Sequence, residues 1–446
     1  MVHLTGRWSA VSPRGVSLKP ALWLLAILAV TSLYDVYRYP ARINASATSP
    51  TYTNTPLWLS AGKYVMVLVL TGGLALTLRM RLRGRLLQSA ADRILLALIA
   101  WLLAAGTVHV LVAHSSEVVR PLGALLGVAP LIILLPALFA VEGPATDALE
   151  RLVLPLAFGL LFLHAAVDLI EIALWIVVGR LPALGYAGAL VRFGGVWDDP
   201  NSAGAYAALC LVLLIWRPFG LSRRERGVLV AAGALVLAAS WSLSGGLMLL
   251  SGLLVLGALR STDRPRFALR SLAVAAVVLA AAPLIVLTYD RLPLVGHVLQ
   301  QKVAGSVGSR QSALAHGLYI ASLPHDPVAW LVGRAHPQQN EAAIVWWIDT
   351  VGLMGTVLLA CWLTLTLRRV WSTPAREPAM ALSAAVLVGS LFVPYLTTVP
   401  IGSYFLLGVA WLAARAPGTP EAPTARREPA PAHGRGALSD PFTQRG

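Results

Sequence analysis

Apolar segments of similar length alternate with short polar stretches along most of this chain. Twelve of them approach the roughly 20 residues that an α-helix needs to cross the hydrocarbon core of a bilayer. The segments lie at residues 21–37, 57–78, 94–113, 121–141, 152–178, 201–216, 227–241, 243–259, 268–288, 342–366, 379–395 and 399–413. This pattern predicts an all-α polytopic membrane protein with about 12 transmembrane helices. Serines and glycines at 240–246 are expected to form a tight turn between the seventh and eighth helices.

One polar stretch is much longer than the others and runs for 54 residues, from 289 to 342, between the ninth and tenth segments. Connections of this length are usually functional. After residue 413 the chain is rich in Pro, Ala, Gly and Arg, with too little apolar surface to offset the entropy of ordering. We therefore expect an N-terminal segment at 1–20, a transmembrane domain at 21–413 that includes the 289–342 loop, and a disordered tail at 414–446.

The composition agrees with a membrane protein, because 57% of the residues are hydrophobic and only 12% are charged. The first apolar segment has no small-residue cleavage site after it, so we expect a span rather than a cleaved signal. Cys210 and Cys361 both lie inside apolar segments, which excludes a disulfide framework or a thiolate metal site in the loops. The loop histidines and carboxylates lack metal-ligand spacing, so neither a metal nor another cofactor is expected.

The net charge of +15 arises from basic residues that are spread over short loops, which argues against a nucleic-acid partner. With the N-terminus in the cytoplasm, 25 of the 35 Lys and Arg residues lie on the cytoplasmic side, in line with the positive-inside bias. The opposite orientation places the arginine clusters at 79–85 and 217–226 outside. The sequence therefore predicts that both termini are cytoplasmic and that the 289–342 loop is extracytoplasmic.

Titratable side chains are concentrated in the 289–342 loop. They are His297, His316, His325, His336, Asp290, Arg291, Lys302, Arg310, Asp326, Arg334 and Glu341. Ser309 fits the N-cap of a helix at 311–322, which places Arg310 in its first turn, where free N–H groups and a guanidinium suit an anion. The competing interpretation is an arginine that reaches towards lipid headgroups. His336 titrates near neutral pH and is a candidate general base, although a solvated surface histidine explains the same residue.

The segment before the sixth apolar region carries a second set of polar residues. Asp199 and Pro200 fit the N-cap and the first position of a helix. Capping does not explain Arg192. Because Arg192 lies on the same predicted side of the membrane as Arg310, it is a candidate second ligand for an anion.

Three ionisable residues interrupt the fifth apolar segment, namely His164, Asp168 and Glu171. Their spacing of four and three residues places them on one face of a helix. Ionisable groups are costly in a bilayer, so this face is expected to contact protein or water rather than lipid. The stripe either pairs structurally with a cation such as Lys63 and lines a site, or acts as a proton relay in a transporter.

Three segments, in this order, resemble the O-antigen ligase and O-antigen polymerase family of bacterial envelope enzymes. They are GGVWDDPNSAGAYAALCLVLL from Gly194, GSRQSALAHGLYI from Gly308, and GRAHPQQNEAAIVWWIDTVGLMG from Gly333. The third resembles the His-Asn element of the family followed by a helix with Gly-x-x-Gly, supplied here by residues 352–355. The resemblance covers roughly residues 190–370.

The resemblance implies metal-independent glycosyl transfer on the periplasmic face of the bacterial inner membrane. The donor is a glycan on undecaprenyl diphosphate and the acceptor is a hydroxyl of a glycan or lipid; membrane lipids are the other expected partner. Cations must hold the diphosphate as it leaves, and a base must take the acceptor proton. The residues that fit the catalytic roles are Arg310, His336 and Glu341, and those that fit substrate binding are Arg192, Asp198, Arg334 and Asn340.

Two departures from the family pattern matter. First, His336 is separated from Asn340 by three residues instead of adjoining it, which makes Glu341 an alternative base. Second, Ser244-Gly245 stands where family members often have Ser-Arg. The competing function is a transporter or lipid-linked glycan flippase, which does not need a long outer loop rich in Arg and His. Within the family, a ligase and a polymerase share these features.

Overall fold

The structure is a computed structural model, and it describes thirteen ranges of the chain with gaps between them. These are residues 18–34, 57–82, 89–113, 129, 131–134, 146–178, 192–197, 199–216, 221–261, 327–333, 343–371 with 373, 375–390 and 401–415. All regular structure in these ranges is helical. The α-helices are α1 Leu18–Leu33, α2 Leu57–Leu82, α3 Ala90–Ala113, α4 Thr146–Val178, α5 Pro200–Trp216, α6 Arg223–Ser240, α7 Leu243–Arg260, α8 Pro327–Val332, α9 Ala343–Val370, α10 Arg376–Ser390 and α11 Ile401–Arg415, with a 3₁₀ turn at Gly195–Trp197.

The helices follow the predicted apolar segments closely. Ten of the twelve segments carry one of these α-helices. The segment at 121–141 is described only at 129 and 131–134, where it is helical, and the segment at 268–288 lies outside the described residues. Helix α8 was not predicted and lies inside the 289–342 loop. The all-α prediction is confirmed for the described residues.

Several helices have the length and composition of membrane spans. Four described stretches are long and apolar enough to cross a bilayer: Ala90–His109, Ala157–Leu174, Leu243–Arg260 and Trp347–Val370. Shorter apolar helices occupy Leu22–Leu33, Gly62–Thr77, Pro200–Trp216 and Tyr404–Ala413. These helices support a membrane protein, whereas the number of twelve spans and their orientation stay predictions.

The outer surface of the helices is apolar, as expected of a surface in contact with lipid. Large hydrophobic side chains are widely exposed, among them Val69, Leu76, Leu111, Ile176 and Val177. A soluble monomer rarely exposes so many large apolar side chains. Helix α4 illustrates the arrangement, because Leu169 and Ile170 are exposed beside the buried Asp168.

Helix α5 lies at the centre of the described packing, with 13 of its 17 residues buried. It contacts α4, α6, α7, α10 and α11, and α7 packs between α5 and α10. At the α5–α7 crossing a Cβ added at Gly245 would lie only 2.7 Å from the backbone carbon of Gly204. Small residues permit this close approach of two helix backbones.

The predicted turn between the seventh and eighth apolar segments is confirmed. Helix α6 ends at Ser240, and Trp241 adopts the left-handed conformation with φ 47°. The Ser242 side chain then caps α7 by accepting a hydrogen bond from the Gly245 N–H at 3.1 Å. Two residues, Trp241 and Ser242, thereby join the two helices.

A second group of contacts surrounds α9, which packs against α3, α8, α10 and α11. Its backbone is not continuous, because Gly352 has φ 72° and ψ 179°. The break frees the carbonyl of Val351, and the Trp101 side chain of α3 donates its Nε1–H to that oxygen at 3.0 Å. Irregular backbone within a membrane is tolerated where protein groups satisfy it in this way.

Candidate functional site

The start of α5 is held by the side chain of Asp199. Its Oδ1 accepts the Asn201 N–H at 3.0 Å, and its Oδ2 accepts the Ser202 N–H at 3.1 Å and the Ser202 hydroxyl at 2.6 Å. Pro200 is the first helical residue. Asp199 as N-cap and Pro200 as first position are therefore confirmed, and a carboxylate at this position also favours the helix dipole.

Arg192 ties the start of α5 to the turn between α6 and α7. Its Nε donates to the Ser240 carbonyl at 2.9 Å, and its Nη2 donates to Asn201 Oδ1 at 2.7 Å. The neighbouring Phe193 N–H donates to the Ala239 carbonyl at 3.2 Å. Arg192 thus has a structural role that the sequence did not indicate. Its role as an anion ligand stays a prediction, and Asp198 lies outside the described residues.

The end of the 289–342 loop that leads to Arg334 is fixed against the break in α9. Gly333 has φ 81°, and a Cβ there would lie 2.8 Å from the Val351 nitrogen. A Cβ on Gly352 would in turn lie 2.8 Å from the Gly333 nitrogen and would collide with the Leu331 carbonyl. The two glycines therefore allow direct contact between the backbone after α8 and the backbone inside α9.

His109 of α3 also contacts Gly333. Its Nε2 donates to the Gly333 carbonyl at 3.2 Å, and its side chain is buried. Asp349 and Thr350, just before the break, are also buried. The backbone that enters Arg334 is thus held by three elements, α3, α8 and α9.

Most of the residues that the sequence indicated for catalysis and binding lie outside the described residues. These are Asp198, Arg310, Arg334, His336, Asn340 and Glu341. The structure does describe the two ends that flank residues 334–342, namely Gly333 and Ala343. Ala343 is the first residue of α9, and Gly333 packs against the α9 backbone at Val351. These two points on α9 are eight residues apart, which is about 12 Å at 1.5 Å per residue.

The stripe on α4 is buried in protein. His164 and Asp168 are 0% exposed and Glu171 is 2% exposed. His164 Nδ1 accepts the Val196 N–H of the 3₁₀ turn at 3.1 Å. The expectation that this face avoids lipid is confirmed. Lys63, proposed as its partner, is buried as well.

Aromatic and hydroxyl side chains from four elements surround His164. Its ring packs edge-to-face on Trp197 with centroids 4.5 Å apart, and the ring of Tyr206 lies 5.9 Å away. Trp197 also donates its Nε1–H to the Ser32 carbonyl of α1 at 2.7 Å, and its ring is stacked on that of Tyr404 at 6.2 Å. The sequence did not indicate this cluster, which joins α1, α4, α5 and α11 through the 3₁₀ turn.

Comparison with protein-family profiles and with curated proteins finds no match to this chain.

Proposed function

We propose that this chain is a membrane glycosyltransferase of the O-antigen ligase and polymerase type. It transfers or polymerises a glycan carried on undecaprenyl diphosphate, without a metal or other cofactor, on the periplasmic face of the bacterial inner membrane. The observation that carries the proposal is the contact between Gly333 and Gly352. The start of the GRAHPQQNEAAIVWWIDTVGLMG segment contacts a residue near its end there, so His336 and Glu341 directly follow a point that is held by backbone contacts. Catalysis requires such positioning of reacting groups.

The start of α5 gives independent support. The first motif segment includes Gly204 and Asn201, and these residues contact the turn between α6 and α7 through Gly245 and Arg192. The first motif segment is thus packed against a turn about 40 residues further along the chain. This packing fixes Arg192, which is proposed to bind the diphosphate, at the start of α5.

The roles follow from the charges of the reaction. The bond from the anomeric carbon to the diphosphate oxygen breaks, and the acceptor oxygen forms the new bond to that carbon. Arg310, with Arg192 and Arg334, binds the leaving diphosphate, because guanidinium groups bind phosphate oxygens in pairs. His336 or Glu341 takes the proton of the acceptor hydroxyl.

Purified variants reconstituted in lipid test these roles by glycan transfer. Arg310→Lys should stay impaired, since a point charge does not reproduce bidentate contact. His336→Ala should lose on the order of 10² to 10⁴ in rate if it is the base, and Glu341→Gln should show that loss instead if Glu341 is the base. Arg224→Lys is a matched control, because Arg224 is exposed near the start of α6 and outside the proposed site. Full transfer in all three loop variants would exclude this mechanism.

The acceptor is identified by deleting the gene and separating the surface polysaccharide on a gel. Long chains that accumulate unattached indicate a ligase, whereas single repeat units indicate a polymerase. Orientation is tested with reporter fusions: a reporter active only in the periplasm should be active near Gly305 and silent near Arg83. The reverse pattern would place the proposed loop in the cytoplasm and exclude a periplasmic transferase.

The buried stripe on α4 favours one alternative, a transporter or lipid-linked glycan flippase. His164, Asp168 and Glu171 are the kind of intramembrane groups that mark proton or substrate pathways. Proteoliposomes distinguish the two functions. Movement of a lipid-linked glycan across the bilayer with no new glycosidic bond would favour the flippase, and bond formation without movement would favour the transferase.

A further inference from the structure

The three ionisable residues on α4 occupy an interior position with unusual hydrogen bonding. His164 Nδ1 accepts a hydrogen bond from the Val196 N–H, so the neutral imidazole carries its proton on Nε2. Neither the Nε2 atom nor either oxygen of Asp168 has a hydrogen-bond partner among the described residues. A buried polar group without a partner costs free energy, and the cost is far larger when the group is charged.

The position of these groups is fixed by the 3₁₀ turn. Gly195 has φ 55°, and a Cβ there would lie 3.2 Å from His164 Cγ. The Gly195 backbone also lies close to the Asp168 carboxylate, without the geometry of a hydrogen bond to either oxygen. Gly195 therefore lies against both His164 and Asp168, which are one helical turn apart, and Val196 binds His164.

Among the described residues, the titratable groups beside Asp168 on α4 and in the aromatic cluster around His164 are Glu171 and His164 on α4, Tyr206 and Cys210 on α5, and Tyr404 on α11. Lys63 on α2 is a further buried cation. Helix α6 carries no titratable side chain after Arg226, near its start, and α1 carries only Lys19 at its first turn with Tyr34 just past its end. Glu171, one turn further along α4, adds a second carboxyl, and two close carboxylates do not both ionise readily.

We propose that Asp168 is a proton-binding site inside the membrane. The proton is held on the carboxyl between His164 and Glu171, beneath the Gly195–Trp197 turn. A proton is the ligand of choice because the described residues contain no group of three or more His, Cys, Asp or Glu placed to hold a metal ion. A proton also removes the charge that the bilayer interior disfavours.

Backbone and hydrogen bonds connect the proton site to Arg192, which is proposed to bind the substrate. Val196, which donates to His164, is four residues from Arg192, and Arg192 is hydrogen-bonded to Ser240 and Asn201. Loss of the proton places a charge directly under the turn and thereby alters the position of this segment. The proposal does not depend on the glycosyltransferase assignment, because an intramembrane proton site serves an enzyme or a transporter equally.

Infrared spectroscopy of the full chain in lipid vesicles tests the proposal at neutral pH. The wild type should show the carbonyl band of a protonated carboxylic acid, Asp168→Asn should lose it, and Asp92→Asn should keep it. Asp92 is a suitable control because it is also a buried aspartate, near the start of α3. A spectrum without this band in the wild type, or with the band retained in Asp168→Asn, would overturn the proposal.

Labelling of the wild type with a hydrophobic carbodiimide gives a second measurement that needs no folded variant. The reagent adds to protonated carboxyls, so an adduct on Asp168 should form and should decrease as the pH is raised. Protection by sodium ions would identify a sodium site instead of a proton site. An adduct on Glu171 alone would also reject the assignment to Asp168.

Discussion

The break in α9 allows a sharp test, because alanine at Gly352 has no room and no allowed backbone conformation. The φ of 72° and ψ of 179° lie in a region that is accessible almost only to glycine. The added Cβ would collide with the Leu331 carbonyl and lie 2.8 Å from the Gly333 nitrogen. Both obstacles involve backbone atoms, which do not swing aside as a flexible side chain does.

The two effects have separate magnitudes. The backbone conformation costs about 1–3 kcal/mol for a residue with a Cβ, and overpacking adds about 1–3 kcal/mol. If the fold is retained, Gly352→Ala should therefore lose roughly 2–6 kcal/mol, a large part of the ~5–15 kcal/mol typical of a folded protein. If the chain relaxes instead, α8 separates from α9 and Gly333 loses its fixed position. Transfer activity then falls even where stability does not.

Thermal denaturation in detergent and glycan transfer in lipid measure the two outcomes. Gly159→Ala is the matched control, because Gly159 lies in α4 and a Cβ there meets nothing within 4 Å. In a regular helix that change should stabilise by about 0.5–1 kcal/mol. If Gly352→Ala and Gly159→Ala gave the same melting temperature and the same activity, the argument from the α9 break would be refuted.

Three further changes test other parts of the structure by thermal denaturation. Gly245→Ala should destabilise by forcing α7 away from α5, whereas its neighbour Gly246→Ala, with open space around it, should not. Arg192→Gln should lose roughly 1.5–3 kcal/mol of charge-assisted hydrogen bonding; unchanged stability with lost transfer would instead favour an anion ligand. Ser222→Ala removes the cap of α6 and should cost about 1 kcal/mol. The hydrogen bond from the Ser222 backbone N–H, and to a lesser extent the Ser222 side chain, lowers the pKa of Glu225. The stability that the Glu225 carboxylate contributes should therefore be present at neutral pH and be lost as acid protonates it, whereas the bond from the Glu225 N–H to the Ser222 side chain does not depend on that charge.

Hydropathy located the helices but not their ends. The apolar pattern predicted a segment at 227–241, whereas α6 begins at Arg223. The additional turn is charged and forms because Ser222 and Glu225 make a capping box. The length of an apolar segment indicates which part of a helix is suited to a membrane. Local hydrogen bonds determine the residue at which the helix begins. Helix α8 was missed because six residues carry too little periodicity to be recognised.

The parts of the candidate site that were predictable are local in sequence. Asp199 as a cap needs only its near neighbours, and the α4 stripe follows from the helical period. The bonds from Arg192 to Ser240 and from His109 to Gly333 join residues 48 and 224 positions apart. Such pairs depend on tertiary packing and leave no pattern in one sequence. A histidine inside an apolar segment was the only sign that His109 has a structural or functional role.

The close approach of α5 and α7 explains why residue 245 is a glycine. The O-antigen family that the sequence resembles often has arginine at this position, but here the α5 and α7 backbones approach so closely that a Cβ on Gly245 would lie 2.7 Å from Gly204. A guanidinium cannot enter from that position. The same turn nevertheless carries one, because Arg192 reaches it from the segment before α5 and donates to the Ser240 carbonyl at 2.9 Å. Under the proposed assignment, the cation at this turn comes from the segment before α5 and not from residue 245.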